Sequence, residues 1–433
     1  MSMRTSVLAI LACCLPATAQ NSPAAAQGST QSPERVRSLL EQGRDRWRAE
    51  AATAPADAKS DLEGRASRMD KVLSESVGLR AQVLVGEVTE REGKPELVAH
   101  GWRAGAAYFY PASTVKLLGA VAALERMREL QRKAAPGLRL DTPLAFYGSR
   151  RGSAMLTNDA DNLADGKLTL RHLVRESLIV SDNESFNRLF EFAGHDRLNE
   201  RMWRAGLTST RISHRLSVKV SILENRRTPT IELRMPEGVV RLAEETGKLE
   251  LANVDDREGV LIGKGRMEGA DLVPGPMSFI AKNRVTLRDL QVGLARVVRP
   301  ELPFEGEPFD LGDEERALLL ESLSQYPGDS QNPRWERAKY PDDYVKFFLP
   351  GVMRVIPKEH VKIYNKVGLA YGFVIDTAYI VDTRTQKGFF LAATLYANSD
   401  GVLDDDTYDY DSLAFPWMAD LGELCAREFL AAK

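Results

Sequence analysis

The spacing of apolar residues divides the chain into helical and extended stretches. Between residues 33 and 76, apolar side chains recur every three or four positions among charged ones, with a break near Pro55, which predicts two amphipathic helices. The period then falls to two, and residues 81–88 and 96–101 around a Glu-Gly-Lys-Pro turn predict an antiparallel hairpin. Near the end, the same patterns predict three more strands and a last helix, at residues 361–366, 372–382, 388–397 and 412–431.

The middle of the chain is mainly helical by the same criterion. A long helix is predicted over residues 113–132, and Thr169 can cap a second one. Two more are predicted at residues 184–192 and 196–205. Strands from both ends of the chain around a helical middle indicate an α+β fold whose sheet is assembled from both ends.

Two stretches fall outside this plan. Residues 218–282 mix apolar residues with prolines, glycines and charge clusters, and we interpret them as an insertion. Residues 20–33, rich in Ala, Gln, Ser and Pro, predict a flexible leader. The chain then divides into a signal segment at residues 1–19 and a leader with N-terminal helices at residues 20–76. The main domain comprises residues 77–217 and 283–433, and the insertion between them comprises residues 218–282.

The first residues have the pattern of an export signal. Arg4 supplies a positive charge, residues 7–15 form an apolar run too short to span a bilayer, and Ala17-Thr18-Ala19 offers small residues for cleavage. We therefore expect a periplasmic or secreted protein. Cys13 and Cys14 leave a lipid anchor open as the competing interpretation.

Composition narrows the classes of partner. Fifty-eight basic and sixty-one acidic side chains give a net charge of −3, so no strong field favours nucleic acid or an anionic membrane. We expect a monomer that binds a small molecule or a peptide amide, with no transmembrane segment. The five histidines lack the spacing of zinc ligands, and no glycine-rich phosphate loop follows a strand, so we predict no metal and no other cofactor.

Three short segments contain residues suited to acyl transfer. Ser113 and Lys116 lie at i and i+3 near a predicted helix start, where backbone N–H groups can stabilise negative charge and the lysine can take the serine proton. A single Ser-x-x-Lys pair is expected about once by chance in a chain of this length. Ser181-Asp182-Asn183 lies between two predicted helices, where these residues are also common caps, and Lys366-Val367-Gly368 ends a predicted strand.

In this order the three segments resemble the Ser-x-x-Lys, Ser-Asp-Asn and Lys-Thr-Gly set of serine β-lactamases and penicillin-binding proteins, with Val367 substituted. The chain is most similar to the class A β-lactamases, over roughly residues 80–215 and 283–433. This resemblance implies an antiparallel sheet covered by helices and packed on an all-helical lobe. The similarity is nearly residue for residue at the family's central helices, at residues 168–173, 181–189, Gly194 and 205–207. Residues 285–290 and 318–323 resemble its later helices.

The resemblance also implies a role for each site residue. Ser113 would be the nucleophile and Lys116 its proton relay. Ser181 would pass a proton to the leaving nitrogen, and Lys366 would be an electrostatic anchor. Substrate contacts would come from Asn183, Gly368 and Leu369, with the backbone N–H groups of Ser113 and Leu369 forming the oxyanion hole.

The chain departs from the family pattern at the deacylating glutamate. Counting thirty-six residues from Ser181 reaches Ser217, which is not a carboxylate. Glu224 is the nearest later candidate, and a solvated loop glutamate explains it at least as well. Without a base that activates water, acylation can proceed while turnover slows.

A second departure concerns binding of a substrate carboxylate. Val367 lacks the hydroxyl of the family motif, and the position of an assisting arginine corresponds to about Asp376, which has the opposite charge. Arg226 and Arg227 are candidate substitutes, although paired arginines are more often solvated.

Three hypotheses follow. The leading one is an exported serine hydrolase that forms an acyl-enzyme at Ser113 and cleaves the amide of a β-lactam. The second, motivated by Ser217 and Val367, is a D,D-peptidase or esterase acting on cell-wall peptides or esters. The third is a binding protein that retains the fold but has lost catalysis, with residues 218–282 as its recognition surface.

Overall fold

The computed structural model describes residues 33–148, 155–251 and 259–431. The predicted signal segment, Cys13, Cys14 and the leader up to residue 32 lie outside the described residues. Among the residues described, no helix has the length and apolar character needed to cross a membrane.

The helices and strands alternate in blocks along the described chain. The helices are α1 (Pro33–Ala51), α2 (Ala56–Ser74), α3 (Lys116–Lys133), α4 (Leu170–Ile179), α5 (Asn183–Ala193), α6 (His195–Arg204), α7 (Ile222–Arg226), α8 (Leu287–Val298), α9 (Asp313–Ser324), α10 (Leu349–Val352) and α11 (Phe415–Phe429). The strands are β1 (Gln82–Arg91), β2 (Lys94–Trp102), β3 (Leu144–Tyr147), β4 (Arg227–Thr228), β5 (Thr230–Met235), β6 (Gly238–Leu242), β7 (Glu245–Thr246), β8 (Leu261–Ile262), β9 (Gly265–Glu268), β10 (Asp271–Pro274), β11 (Met277–Ser278), β12 (Val361–Ala370), β13 (Phe373–Asp382), β14 (Gly388–Tyr396) and β15 (Val402–Leu403).

The main sheet has five strands in the order β12-β13-β14-β1-β2, all antiparallel. β1 and β2 come from the first part of the chain, and the other three come from its end, so both ends build one sheet. Helices cover this sheet, and α3 to α6 form a helical lobe beside it. The predicted α+β fold class is confirmed.

The helical lobe is built around α3. Val121 and Leu124 are fully buried, and most residues from Lys116 to Met127 are buried on every side of the helix. A helix buried all round lies in the interior of its lobe. Gly119 permits the close packing of α5, because a Cβ there would lie 2.7 Å from the ring of Phe186. Full burial of such a phenylalanine contributes roughly 1.5–3 kcal/mol.

A second core lies between the sheet and the terminal helices α1, α2 and α11. Trp47 and Trp417 are both 0% exposed within it, together with Val367 of β12 and Val374 of β13. Side chains alternate between the two faces of a strand. The residues next to Val367, Lys366 and Gly368, therefore point to the opposite face, toward the helical lobe.

The structure differs from the sequence expectation in two places. Ser113 does not begin an α-helix: it lies in a 3₁₀ turn, Ala112–Val115, with α3 beginning at Lys116. The described part of residues 218–282 forms the short helix α7 and short strands, of which β5 pairs with β3 and β9 pairs in parallel with β15. Strands of two to six residues carry too little alternation to be detected from sequence.

Candidate active site

Ser113 lies at the bottom of a large cleft between the helical lobe and the edge strand β12. The cleft has a volume of about 1220 Å³, and Ser113, Asn183, Ser217 and Leu369 are among its lining residues. The 3₁₀ turn that carries Ser113 is closed by Thr114, whose N–H donates to the carbonyl oxygen of Pro111 at 3.0 Å. Ser113 thus lies on a hydrogen-bonded turn that faces the open cleft.

A chain of hydrogen bonds joins the three motifs beneath this cleft. Lys116 Nζ donates to Asn183 Oδ1 at 2.7 Å, to Ser181 Oγ at 3.3 Å and to the carbonyl oxygen of Ser181. Lys366 Nζ donates to the same Ser181 Oγ at 2.8 Å. Ser181 Oγ therefore lies between two amines, one from each half of the fold.

The Ser-Asp-Asn segment caps α5, as its residue types suggested, and it also contacts Lys116. Asp182 caps α5, because its Oδ1 accepts a hydrogen bond from the N–H of Ser185 at 2.7 Å. Ser181 has a left-handed backbone with φ of 63°, which directs the segment out of α4. The cap fixes the loop, and the fixed loop presents Ser181 and Asn183 to Lys116.

The two lysines are almost completely buried, at 0% and 1% exposure. Burial lowers the pKa of Lys116 well below its usual range, and the charge of Lys366 lowers it further while Asp182 opposes both. Burial also lowers the pKa of Lys366 to about 7, although the carboxylate of Asp376 acts in the opposite direction. Both shifts favour the neutral amine, and a neutral amine can accept a proton.

Gly368 allows β12 to approach the nucleophile turn. A Cβ at this position would lie 2.4 Å from the carbonyl oxygen of Pro111 and 3.1 Å from Thr114 Cγ2. Only a residue without a side chain permits this contact between strand and turn. The glycine thereby places Leu369 at the cleft beside the turn of Ser113.

The face of β12 behind the site holds a buried polar network. Asp376, opposite Val367 in the register, is 0% exposed and accepts hydrogen bonds from Asn365 Nδ2 at 2.9 Å and from the N–H of Phe347 at 3.0 Å. Lys346 Nζ donates to Asn365 Oδ1 at 2.9 Å. Asp376 is therefore held behind the sheet by Asn365 and the backbone of Phe347, and it does not line the cleft.

The arginines considered from sequence as carboxylate ligands pair elsewhere. Arg227 forms an ion pair with Glu244 at 2.5 Å, and Arg226 lies 3.7 Å from Glu250. Neither arginine is among the residues that line the cleft. The structure does not bring them to Ser113.

Ser217 occupies the position where the family pattern expects a carboxylate. Its Oγ accepts a hydrogen bond from Asn183 Nδ2 at 2.8 Å. Glu224 also lines the cleft, but it closes a capping box at α7, where its carboxylate accepts from the N–H of Ser221 at 3.0 Å and from Ser221 Oγ at 2.8 Å. The residue bonded to Asn183 is thus a hydroxyl, which is a poor base.

Several cleft residues were missed from the sequence. Lys219, Arg266 and Lys282 line it from the segment interpreted as an insertion, and Asp404 and Asp406 line it from the loop after β15. No local pattern could have identified them, because they come from distant segments that meet only in the fold.

The comparisons with known proteins were then consistent with the motifs. Residues 66–259 match the model of the β-lactamase enzyme family, which reaches into the segment interpreted as an insertion. No curated protein matched the chain significantly.

Solved structures with similar chains are β-lactamases of low identity. Those from Sphaerobacter thermophilus and Xanthomonas campestris pv. campestris are each 17% identical, cover 84% of this chain and 96% and 98% of their own, and give TM-scores of 0.44 and 0.46. One from Burkholderia ambifaria is 14% identical, covers 84% of this chain and 100% of its own, and gives 0.47. The match to the family model over residues 66–259 bears out the resemblance to penicillin-recognising serine hydrolases that the three motifs indicated.

Proposed function

We propose that the chain is an exported serine hydrolase that opens the amide of a β-lactam through an acyl-enzyme at Ser113. The observation that carries this proposal is Ser181 Oγ, hydrogen-bonded by both Lys116 and Lys366. The N–H of Lys116 also donates to the carbonyl oxygen of Ser113, so the lysine follows the nucleophile by one turn. A purely structural pair of buried lysines would have no reason to share a serine beneath an open cleft.

Acylation uses these groups in order. Ser113 Oγ attacks the amide carbon while neutral Lys116 accepts the hydroxyl proton. The C–N bond then breaks, and Ser181 passes a proton to the leaving nitrogen and recovers one from Lys116. The net change forms the Ser113 ester, breaks the amide and moves one proton from oxygen to nitrogen.

Hydrolysis of a chromogenic cephalosporin tests this proposal. We expect a burst of about one product per enzyme followed by slow turnover, because acyl transfer is faster than release. Ser113→Ala should abolish the burst, and Ser60→Ala, an exposed serine on α2, should keep it. A burst that persists in Ser113→Ala would contradict the assignment of the nucleophile.

The absence of a carboxylate at Ser217 favours a second candidate function, a D,D-peptidase or esterase for cell-wall peptides or esters. In such reactions an amine can take the acyl group from the enzyme in place of water, or the substrate can be an activated ester. A strong base that activates water is then less essential. Turnover of a depsipeptide without turnover of a cephalosporin would favour this candidate. A protein that forms no adduct with any acylating probe would instead be a binding protein.

The pH dependence of acylation depends on Lys366. Its pKa of about 7 means that its positive charge is lost as pH rises through neutrality. If that charge anchors the substrate, the acylation rate falls above about pH 7. Burial raises the pKa of Asp376 to about 6, so at pH 7 its carboxylate is mainly ionised and favours charged Lys366.

Asp376→Asn should therefore lower the pKa of Lys366, so that the fall of the acylation rate at alkaline pH begins at a lower pH. The measurement is the rate of labelling by a fluorescent penicillin from pH 5 to 9. The pH at which this rate falls does not depend on the fraction of folded protein. Asp61→Asn on the exposed face of α2 is the matched control. If the labelling rate of Asp376→Asn falls at the same pH as that of the wild type, another group titrates.

Gly368→Ala should separate β12 from the nucleophile turn. The added Cβ would meet the Pro111 carbonyl, and such overpacking costs about 1–3 kcal/mol in the free energy of unfolding. We expect slower labelling by penicillin together with a lower Tm. Gly64→Ala on α2, where no atom lies within 4 Å, should leave labelling unchanged. Normal labelling by Gly368→Ala would contradict the close approach.

A further inference from the structure

A second cluster of ionisable side chains lies in the helical lobe, and none of its members lines the cleft. His172 and Glu176 lie one turn apart on α4, so their side chains share a helix face. Asp159 comes from the preceding loop, where its N–H donates to the carbonyl oxygen of Gly166 at 3.0 Å. His172 is 2% exposed and Glu176 is 8% exposed.

The donor atoms of this cluster converge on one point. His172 Nε2 lies 3.3 Å from Glu176 Oε1 and 3.5 Å from Asp159 Oδ2. The three donor atoms all lie within 4.8 Å of one another. Neither ring nitrogen of buried His172 makes a hydrogen bond. His172 thus lies at ion-pair distance from two carboxylates, and neither of its ring nitrogens has a well-formed hydrogen bond.

These separations fit ligands of a shared ion better than hydrogen bonds. A charge-assisted N–H···O bond is usually about 2.7–2.9 Å long. Two ligands each about 2.0–2.1 Å from a tetrahedral zinc ion are separated by about 3.3 Å, the edge of the tetrahedron. Moreover, one Nε2–H cannot point at both carboxylate oxygens, whereas one cation can contact all three donors.

Protein donors hold the outer oxygen of each carboxylate. Asp159 Oδ1 accepts from the N–H of Asp161 at 3.0 Å, and Glu176 Oε2 accepts from Ser185 Oγ at 2.6 Å. Such contacts orient metal-binding carboxylates and leave the second oxygen for the ion. Two carboxylates also balance the charge of a divalent cation in a buried site.

We propose that Asp159, His172 and Glu176 bind a divalent transition-metal ion of the zinc type, with water as the fourth ligand. One imidazole nitrogen and two carboxylate oxygens are a donor set that zinc accepts. The ion would tie the 159 loop to α4 and, through Ser185, to the start of α5. The role is structural, it does not depend on chemistry at Ser113, and it revises the sequence prediction of no metal.

Zinc titration of the tag-free full chain, stripped with a chelator, tests the proposal. By isothermal titration calorimetry we expect one equivalent bound, with a Tm that rises with zinc concentration, because the ion binds the folded state. Cobalt should bind at the same stoichiometry and give visible absorption typical of a four-coordinate site. Wild-type protein that binds no zinc would overturn the proposal.

Asp159→Asn and Glu176→Gln each remove one ligand while keeping side-chain size. Each should weaken zinc binding by roughly 100-fold or more, while His360→Asn, outside the cluster, should not. Asp159 lies in a loop, so its variant should fold even if the helix variant does not. Zinc binding at wild-type affinity in both variants would place the ion elsewhere and overturn the assignment.

The alternative is that His172 carries a second proton and the cluster holds no metal ion. Burial works against a charged imidazole, but the carboxylates of Asp159 and Glu176 outweigh it and raise the pKa of His172 to about 9. In that case the cluster is a buried ion triad, and the stripped protein takes up no metal. Calorimetry therefore separates the two occupants directly.

Discussion

Ser217→Glu will speed release of the acyl group from Ser113 by roughly 100-fold or more, since general bases contribute about 10²–10⁴-fold. Ser217 Oγ accepts a hydrogen bond from Asn183 Nδ2 at 2.8 Å, and Asn183 in turn accepts one from Lys116. A carboxylate at this position would keep the same donor and extend toward Ser113. The cleft, at about 1220 Å³, has room for the longer side chain and a water molecule.

The matched control is Ser217→Gln, which has the same size as glutamate but no basicity. Stopped-flow acylation followed by the rate of adduct loss separates the two half-reactions. We expect Ser217→Glu to accelerate adduct loss with little change in acylation, and Ser217→Gln to accelerate neither. Equal behaviour of the two variants would mean that a group at this position does not reach the attacking water.

Lys116→Ala will slow acylation by roughly 10²–10⁴-fold, the usual contribution of a positioned base. Lys116 is the buried amine that follows Ser113 by one turn, and its lowered pKa favours the neutral form that can take a proton. Lys366 comes from β12 and donates to Ser181 Oγ at 2.8 Å, so we assign it to Ser181 and not to the Ser113 proton.

The rate of labelling by a fluorescent penicillin measures this effect. Lys133→Ala, an exposed lysine near the end of the same helix, should retain the wild-type rate. Circular dichroism and Tm establish that Lys116→Ala is folded. A folded Lys116→Ala protein that acylates at the wild-type rate would remove this lysine from the mechanism.

The sequence predicted the main architecture because its signals are local. The alternation in β1, β2 and β12 to β14 and the periodicity of α1, α2 and α11 each depend on neighbouring residues. The order of the Ser-x-x-Lys, Ser-Asp-Asn and Lys-Val-Gly segments then indicated a site, and the structure joins Lys116, Ser181 and Lys366 by hydrogen bonds.

Features that depend on distant residues could not be predicted in this way. Asp376 looked like a misplaced charge in sequence, and only the register with Val367 and the contacts with Asn365 explain its burial. The proposed zinc ligands were missed for the same reason. His172 and Glu176 are one helical turn apart, but Asp159 joins them only through the loop. The roles assigned to the site residues remain predictions.

Intact-mass spectrometry of the protein during incubation with a penicillin tests the central claim most directly. The proposed acyl-enzyme predicts that the mass rises by that of the whole penicillin, that the adduct persists because Ser217 supplies no base, and that Ser113→Ala gains nothing. An adduct that vanishes within seconds would contradict the slow release inferred from Ser217. A wild-type protein that gains no mass, or a Ser113→Ala protein that gains the same mass, would contradict acyl transfer at Ser113 itself.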